Sequence, residues 1–227
     1  MKIGGIQKVS LADYPSKICA TVFTQGCNFR CPYCHNPELV DSTRFANTLS
    51  QDAIMNFLSK RKIHLDAVNI TGGEPTIQED IVDFCGAIKK LGFLVKIDTN
   101  GSMPLVLKKL IQEEVVDFVA MDIKAPLKRY PEVSCVKNID IKLIEESVNI
   151  IKTSNKDYEF RTTVVSGMFT KEDFDDIGVM LKYAKRYVLQ RFVPSKILDE
   201  SYLRMFPPNN EEMLSYQEQM NAYVGQC

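Results

Sequence analysis

The sequence predicts an α/β protein, a partial (β/α)6 barrel whose parallel sheet stays open on one side. Three observations lead there. Apolar, β-branched runs alternate with amphipathic helical stretches, which is the pattern of consecutive βα units. Six such units can be counted along the 227 residues. No Rossmann glycine fingerprint accompanies them, which argues against a doubly wound sheet.

The elements follow in order. The first strand is expected from Ile18 to Thr24, with a cysteine-rich loop after it and a helix from Ser50 to Lys62. The second runs from Ala67 to Thr71, ends in Gly72-Gly73-Glu74-Pro75, and leads to a helix from Glu79 to Leu91. The third, Phe93 to Asp98, ends in Asp98-Thr99-Asn100-Gly101 before a helix from Pro104 to Glu113. The fourth, Phe118 to Asp122, ends in Asp122-Ile123-Lys124 and is followed by a helix from Ile139 to Thr153. The fifth, Glu159 to Val165, contains Arg161 and precedes a helix from Lys171 to Lys185. The sixth, Tyr187 to Phe192, carries Gln190-Arg191 near its end. Parallel sheets of this kind keep their chemistry on the loops after the strands, and the unusual residue clusters fall there. No repeat or linker divides the chain, so residues 1–227 are expected to form one domain, with 194–227 a C-terminal cap or surface tail.

Composition narrows the classes of function. The chain is 45% hydrophobic and 25% charged, and 28 basic residues nearly cancel 29 acidic ones. A net charge of -1 makes no field that would gather nucleic acid or an anionic membrane. No signal peptide or membrane-spanning stretch is visible, so a cytoplasmic location is expected. In that reducing compartment the seven cysteines read as thiols or metal ligands rather than disulfides.

Three of the seven lie together in Gly26-Cys27-Asn28-Phe29-Arg30-Cys31-Pro32-Tyr33-Cys34-His35-Asn36-Pro37. A CxxxCxxC loop of this length can wrap three corners of an iron–sulfur cube, whose irons take thiolate ligands. The fourth iron is then left for something other than cysteine. A structural zinc site would need a fourth ligand, and His35, adjacent to Cys34, does not have the usual zinc spacing. Gly72-Gly73 by itself reads as a tight turn and Asp98-Thr99-Asn100-Gly101 as an Asx turn. Arg161, in an otherwise apolar strand, requires an anionic partner, either a cofactor carboxylate or a structural aspartate.

The CxxxCxxC loop with an aromatic before its last cysteine, followed one βα unit later by Gly-Gly-Glu-Pro, resembles the radical S-adenosylmethionine (radical SAM) superfamily. The resemblance implies a [4Fe-4S] cluster on Cys27, Cys31 and Cys34, whose open iron is chelated by S-adenosylmethionine. Reductive cleavage of that cofactor yields a 5′-deoxyadenosyl radical that abstracts hydrogen. The resemblance also implies cofactor contacts from Tyr33, His35, Gly72, Gly73, Glu74, Asp98, Asn100, Asp122, Lys124 and Arg161. In the glycyl-radical activating enzymes, residues matching Asp98, Thr99 and Asp122 can enclose a monovalent cation.

Two further stretches, Gly4-Gly5-Ile6 through Asp13-Tyr14-Pro15 and Phe23 through Leu39, resemble the activating proteins of anaerobic ribonucleoside-triphosphate reductase. Such a protein takes one hydrogen from a backbone glycine of its partner and draws its electron from a flavodoxin or ferredoxin. The ferredoxin-like insert of larger activating enzymes is missing between Val40 and Ser50, so one cluster is implied. Cys19, Cys85 and Cys135 are expected as buried thiols, and His64 as a surface or packing residue. Two alternatives stay open: a radical enzyme acting on a small metabolite, and a non-catalytic iron–sulfur or zinc module. Under the main reading, Gly73→Val is expected to weaken cofactor binding while keeping the cluster.

Overall fold

The computed structural model describes residues 1–227. The chain runs β1 (Ile3–Ser10), β2 (Cys19–Thr24), α1 (Pro37–Val40), α2 (Gln51–Arg61), β3 (Ala67–Gly72), α3 (Ile81–Lys90), β4 (Leu94–Thr99) and α4 (Pro104–Gln112). It continues with β5 (Phe118–Asp122), α5 (Tyr130–Ser134), α6 (Ile141–Thr153), β6 (Asp157–Val164), α7 (Lys171–Met180), β7 (Tyr187–Arg191) and α8 (Asn210–Met220). Seven strands make one sheet in the order β1 to β7, with β1 antiparallel to β2 and every later pair parallel. The six expected parallel strands are all present, and the sheet is open because β1 and β7 are its two edges.

The helix starts have local causes. Side chains of Ser50, Asp140 and Asn209 accept backbone N–H groups at the first turns of α2, α6 and α8, and Thr170 with Asp173 forms a capping box on α7. α4 opens on Pro104, which lacks the N–H that would have no acceptor there.

Strand alternation divides the sheet into two faces. Val22, Val68, Ile70, Val95, Ile97, Val119 and Phe160 belong to the large core cluster with α3, α4, α6 and α7. The alternate residues make the inner face, and register stacks them in layers. Thr21, Asn69, Lys96 and Phe118 are consecutive partners across four strands, and Asp122 pairs with Arg161 higher up. On this face Tyr14, Cys19, Ala67, Phe118 and Ala120 form a small apolar cluster beside the polar layer. Tyr14 and Phe118 rings lie 5.7 Å apart.

Three differences from the sequence reading have physical causes. β1 was not expected: its two glycines and its burial only at Ile3 and Ser10 leave no alternating apolar signal. α7 stops at Met180 instead of reaching Lys185. A Cβ at Gly178 would come within 2.4 Å of the Tyr223 ring, so the last turn of α7 fits tightly under the C-terminal segment. The stretch expected as a cap or surface tail carries α8, and it is firmly seated. Tyr216, Met220 and Val224 are buried, and the Tyr216 ring stacks on Phe174 at 4.1 Å.

Candidate active site

At the carboxyl ends of the parallel strands lies a cavity of about 320 Å³, and all fourteen residues singled out by sequence for cluster, cofactor or cation line it. They come from the loops after β2, β3, β4 and β5 and from the inner face of β6. Asn36, Thr71 and Gln190, from the clusters expected at these strand ends, line it as well, and so do Asp13 and Thr163, which were not anticipated.

The cysteine loop is held from several sides. The Gly26 N–H donates to the Leu39 carbonyl at 2.8 Å, the Arg30 N–H to Ser134 at 2.9 Å, and the Arg30 guanidinium to the Cys27 carbonyl at 2.6 Å. On the far side, the segment after β7 reaches over. Leu198 and Asp199 N–H groups donate to the carbonyls of Cys34 and Pro32, both at 3.0 Å, and Lys196 pairs with Glu38 at 2.7 Å. His35 Nε2 sits 2.9 Å from the Val193 carbonyl and its ring lies 5.7 Å from Phe192. His35 thus joins the loop to the strap after β7, a role that sequence did not reveal.

Burial pushes the Cys27 thiol up to about 12 and that of Cys31 up to about 11, and raises Cys34. Lys124 acts against this on all three. Phe29 N–H donates to Cys27 Sγ at 3.3 Å. Nearby, the buried Tyr33 hydroxyl has no hydrogen-bond partner. Three thiols and an unmet polar group lining one cavity fit a thiolate-bound cluster with a polar co-ligand.

Glu74 has another occupation than the expected cofactor contact. It is 1% exposed. One carboxylate oxygen accepts from the Thr76 N–H, the Thr76 hydroxyl and the Thr99 hydroxyl, and the other takes the Asn100 N–H at 2.6 Å. Its own N–H donates to the Gly26 carbonyl at 2.8 Å. Asn100 in turn donates to the Asn28 side chain at 2.9 Å. Glu74 therefore ties together the loops after β2, β3 and β4. Gly73 belongs to the same joint: a Cβ there would lie 2.0 Å from the Gly26 carbonyl oxygen. In Gly73→Val the side chain would strike the Gly26 backbone that leads into Cys27.

The question left open for Arg161 has a structural answer. Its Nε donates to Asp122 at 2.9 Å, and Nη1 lies 3.5 Å from Asp98. Lys124 pairs with Asp122 at 2.9 Å, and the buried Lys96 pairs with Asp98. Asp98 and Asp122 are thus neutralised by three fixed cations, and the Thr99 hydroxyl is given to Glu74. The oxygens expected around a monovalent cation are already engaged by protein groups. Burial alone would raise Asp122, but Arg161 and Lys124 outweigh it and hold the carboxyl well below the usual range. Lys96 and its neighbour Asn69 were missed; a lysine alternating with Val95 and Ile97 on the inner face was the available signal.

The remaining cysteines divide. Cys19 and Cys85 are buried, as expected, whereas Cys135 is exposed, because it caps α5 in a left-handed conformation with φ 53°. His64 is exposed. No helix is long and apolar enough to cross a membrane.

Comparison with known proteins agrees with this geometry. Residues 21–184 match the family described as the radical SAM superfamily, which uses a [4Fe-4S] cluster and S-adenosylmethionine. A protein of Methanocaldococcus jannaschii, provisionally named a glycyl-radical enzyme activating enzyme, is 34% identical over 98% of this chain and 92% of its own length. A 7-carboxy-7-deazaguanine synthase of Koribacter versatilis is 29% identical, covering 66% of this chain and 62% of that one. Among solved structures, Streptococcus suis SuiB bound to S-adenosylmethionine superposes with a TM-score of 0.63 at 16% identity, over 90% of this chain and 48% of that one.

Proposed function

The chain belongs to the radical SAM superfamily, and from that premise we propose that it is an activase that takes a hydrogen from a backbone glycine of a partner enzyme. The observation that carries this reading is the open barrel beside the thiols. β1 and β7 end the sheet without joining, so a protein loop has a lateral way into the cavity. The full-length similarity to a provisionally named activating enzyme supports it. The partner proposed is anaerobic ribonucleoside-triphosphate reductase, and the electron donor a flavodoxin or ferredoxin.

In this reading Cys27, Cys31 and Cys34 would hold the cluster. When bound, cluster and cofactor together supply the electron transfer and the group that abstracts hydrogen. The chain's own residues position and shield them. Lys124 places positive charge beside the thiols, Tyr33 offers its unmet hydroxyl to the cofactor, and Gly72 and Gly73 let the β3 loop approach closely. Glu74 and Asn100 act behind that surface by fixing the three loops. The Arg161–Asp122–Lys124 group gives the cavity a fixed charge pattern that does not reorganise on binding.

A second reading is action on a small purine-like metabolite, favoured by the similarity to the 7-carboxy-7-deazaguanine synthase. The two readings separate in an anaerobic electron paramagnetic resonance experiment on reconstituted, reduced protein with S-adenosylmethionine and the reductase. The activase gives a glycine-radical doublet on the reductase, lost in Cys27→Ala. Formation of 5′-deoxyadenosine with no doublet would reject the reductase as partner and turn the search to other glycyl-radical enzymes or a small metabolite.

A further inference from the structure

The inner face of β4 carries two charged side chains, Lys96 and Asp98, alternating with Val95 and Ile97 of the core. Lys96 is only 2% exposed, and an ammonium that deep is held only where acceptors surround it. Register supplies them, because Asn69 on β3 and Phe118 on β5 are its partners. Lys96 Nζ pairs with Asp98 Oδ1, lies 3.5 Å from Asn69 Oδ1 and sits 5.9 Å from the centre of the Phe118 ring. A carboxylate, an amide carbonyl and an aromatic face would suit any compact monovalent cation, and here a tethered ammonium has them.

The neighbouring oxygens are engaged as well. Asp98 Oδ2 accepts from Asn69 Nδ2 at 3.3 Å and faces Arg161 Nη1 at 3.5 Å. Asp122 gives Oδ1 to Arg161 and Oδ2 to Lys124, both at 2.9 Å. Thr99 Oγ1 accepts the Gly101 N–H at 3.1 Å while its hydroxyl donates to Glu74 at 2.7 Å. Charge is balanced too: Lys96, Lys124 and Arg161 face Asp98, Asp122 and Glu159, whose carboxylate lies 4.0 Å from Arg161 Nη1. A metal cation among Asp98, Thr99 and Asp122 would meet the fixed charges of Lys96, Lys124 and Arg161, and would displace a donor from every oxygen it took. The residues present therefore do not fit the monovalent cation that the resemblance implies.

We infer that Lys96 takes that cation's place: its ammonium supplies the positive charge beside Asp98, and the protein binds and cleaves S-adenosylmethionine with no potassium or sodium ion. Lys96 does not line the cavity of the thiols, whereas Asp98 and Arg161 do. It is a positioning residue that acts through them. The inference goes beyond the activase reading and holds for either substrate, because it concerns the cofactor end of the cavity alone.

The test compares potassium chloride with tetramethylammonium chloride at equal ionic strength, in buffers free of other alkali ions. For the unsubstituted protein, the thermal midpoint of the metal-free chain and the rate of cofactor cleavage after reconstitution are expected to be the same in the two salts. Lys96→Ala opens the space of the ammonium and leaves Asp98 charged. Its midpoint in tetramethylammonium should fall by about 10 °C, and about 0.1 M potassium should restore about 3 °C or more of that by binding beside Asp98. A loss of packing alone would not respond to the choice of cation. Adding Asp98→Asn to Lys96→Ala should abolish the response. A midpoint or cleavage rate of the unsubstituted protein that rises in potassium would overturn the inference, and this comparison decides even where Lys96→Ala does not fold. A folded Lys96→Ala protein with one midpoint in both salts would overturn it as well, as would a double variant that still responds. The midpoint needs neither cluster nor cofactor, so absent cleavage in both salts would count against the radical chemistry and leave this test standing.

Discussion

The carboxylate of Glu74 accepts the backbone N–H of Asn100 at 2.6 Å, so the loop after β3 is fastened to the loop after β4 by a fully buried acidic side chain. Burial raises its pKa above the ordinary carboxylate value, and the donors from Thr76, Asn100 and Thr99 offset that only in part. Four donors and no cation surround it, which makes its shape and charge hard to replace.

Glu74→Gln therefore turns an amide N–H₂ toward at least one existing donor. A loss of about 1–3 kcal/mol is expected in urea unfolding of the metal-free protein. Iron bound per chain after reconstitution should fall as well, because the same joint supports Gly26. A variant as stable and as well loaded as the unsubstituted protein would remove Glu74 from this role.

Gly73→Ala tests the other half of the joint. The added Cβ would lie 2.0 Å from the Gly26 carbonyl oxygen, and backbone cannot swing aside as a side chain can. A destabilisation of about 1–3 kcal/mol is expected, together with reduced iron content. Gly5→Ala is the control, since nothing lies within 4 Å of a Cβ there. Equal iron loading in the two variants would contradict the close approach.

The Arg161 network predicts a pH dependence with a definite sign. Asp98 and Asp122 both have folded pKa values below their ordinary ones. The unfolded chain then binds more protons, so stability is full above the ordinary carboxylate range and declines as pH falls below about 4. Asp122→Asn should lower stability of the metal-free protein at pH 7 by about 2–3 kcal/mol and flatten the acid limb. Urea midpoints measured from pH 3 to 7 would tell; parallel curves for the two proteins would sink the prediction.

His35 joins the cysteine loop to the strap after β7 through the Val193 carbonyl and the Phe192 ring. In His35→Ala, hydrogen exchange should accelerate both at the Cys34 loop and at the Leu198 and Asp199 amides that bond to it. Acceleration confined to the loop would show that His35 does not couple the two segments.

The chemistry-bearing loop was legible because it is local. Cys27, Cys31 and Cys34 are close in sequence, and their spacing alone fixes what they can reach. The six parallel strands were legible for the same reason, since alternating apolar periods need only a few residues to show. β1 was not, because Gly4-Gly5 and a mostly exposed strand carry no such period. Nor did sequence reveal that Glu74 fastens loops, that Arg161 answers to Asp122 and Asp98, or that His35 meets the strap after β7. These partners lie between 25 and 158 residues apart, and in-register pairing of β3 through β7 decides which of them meet. A residue's reach is written in its neighbours along the chain, but its partner across the sheet is chosen by register, and register is a property of the folded whole.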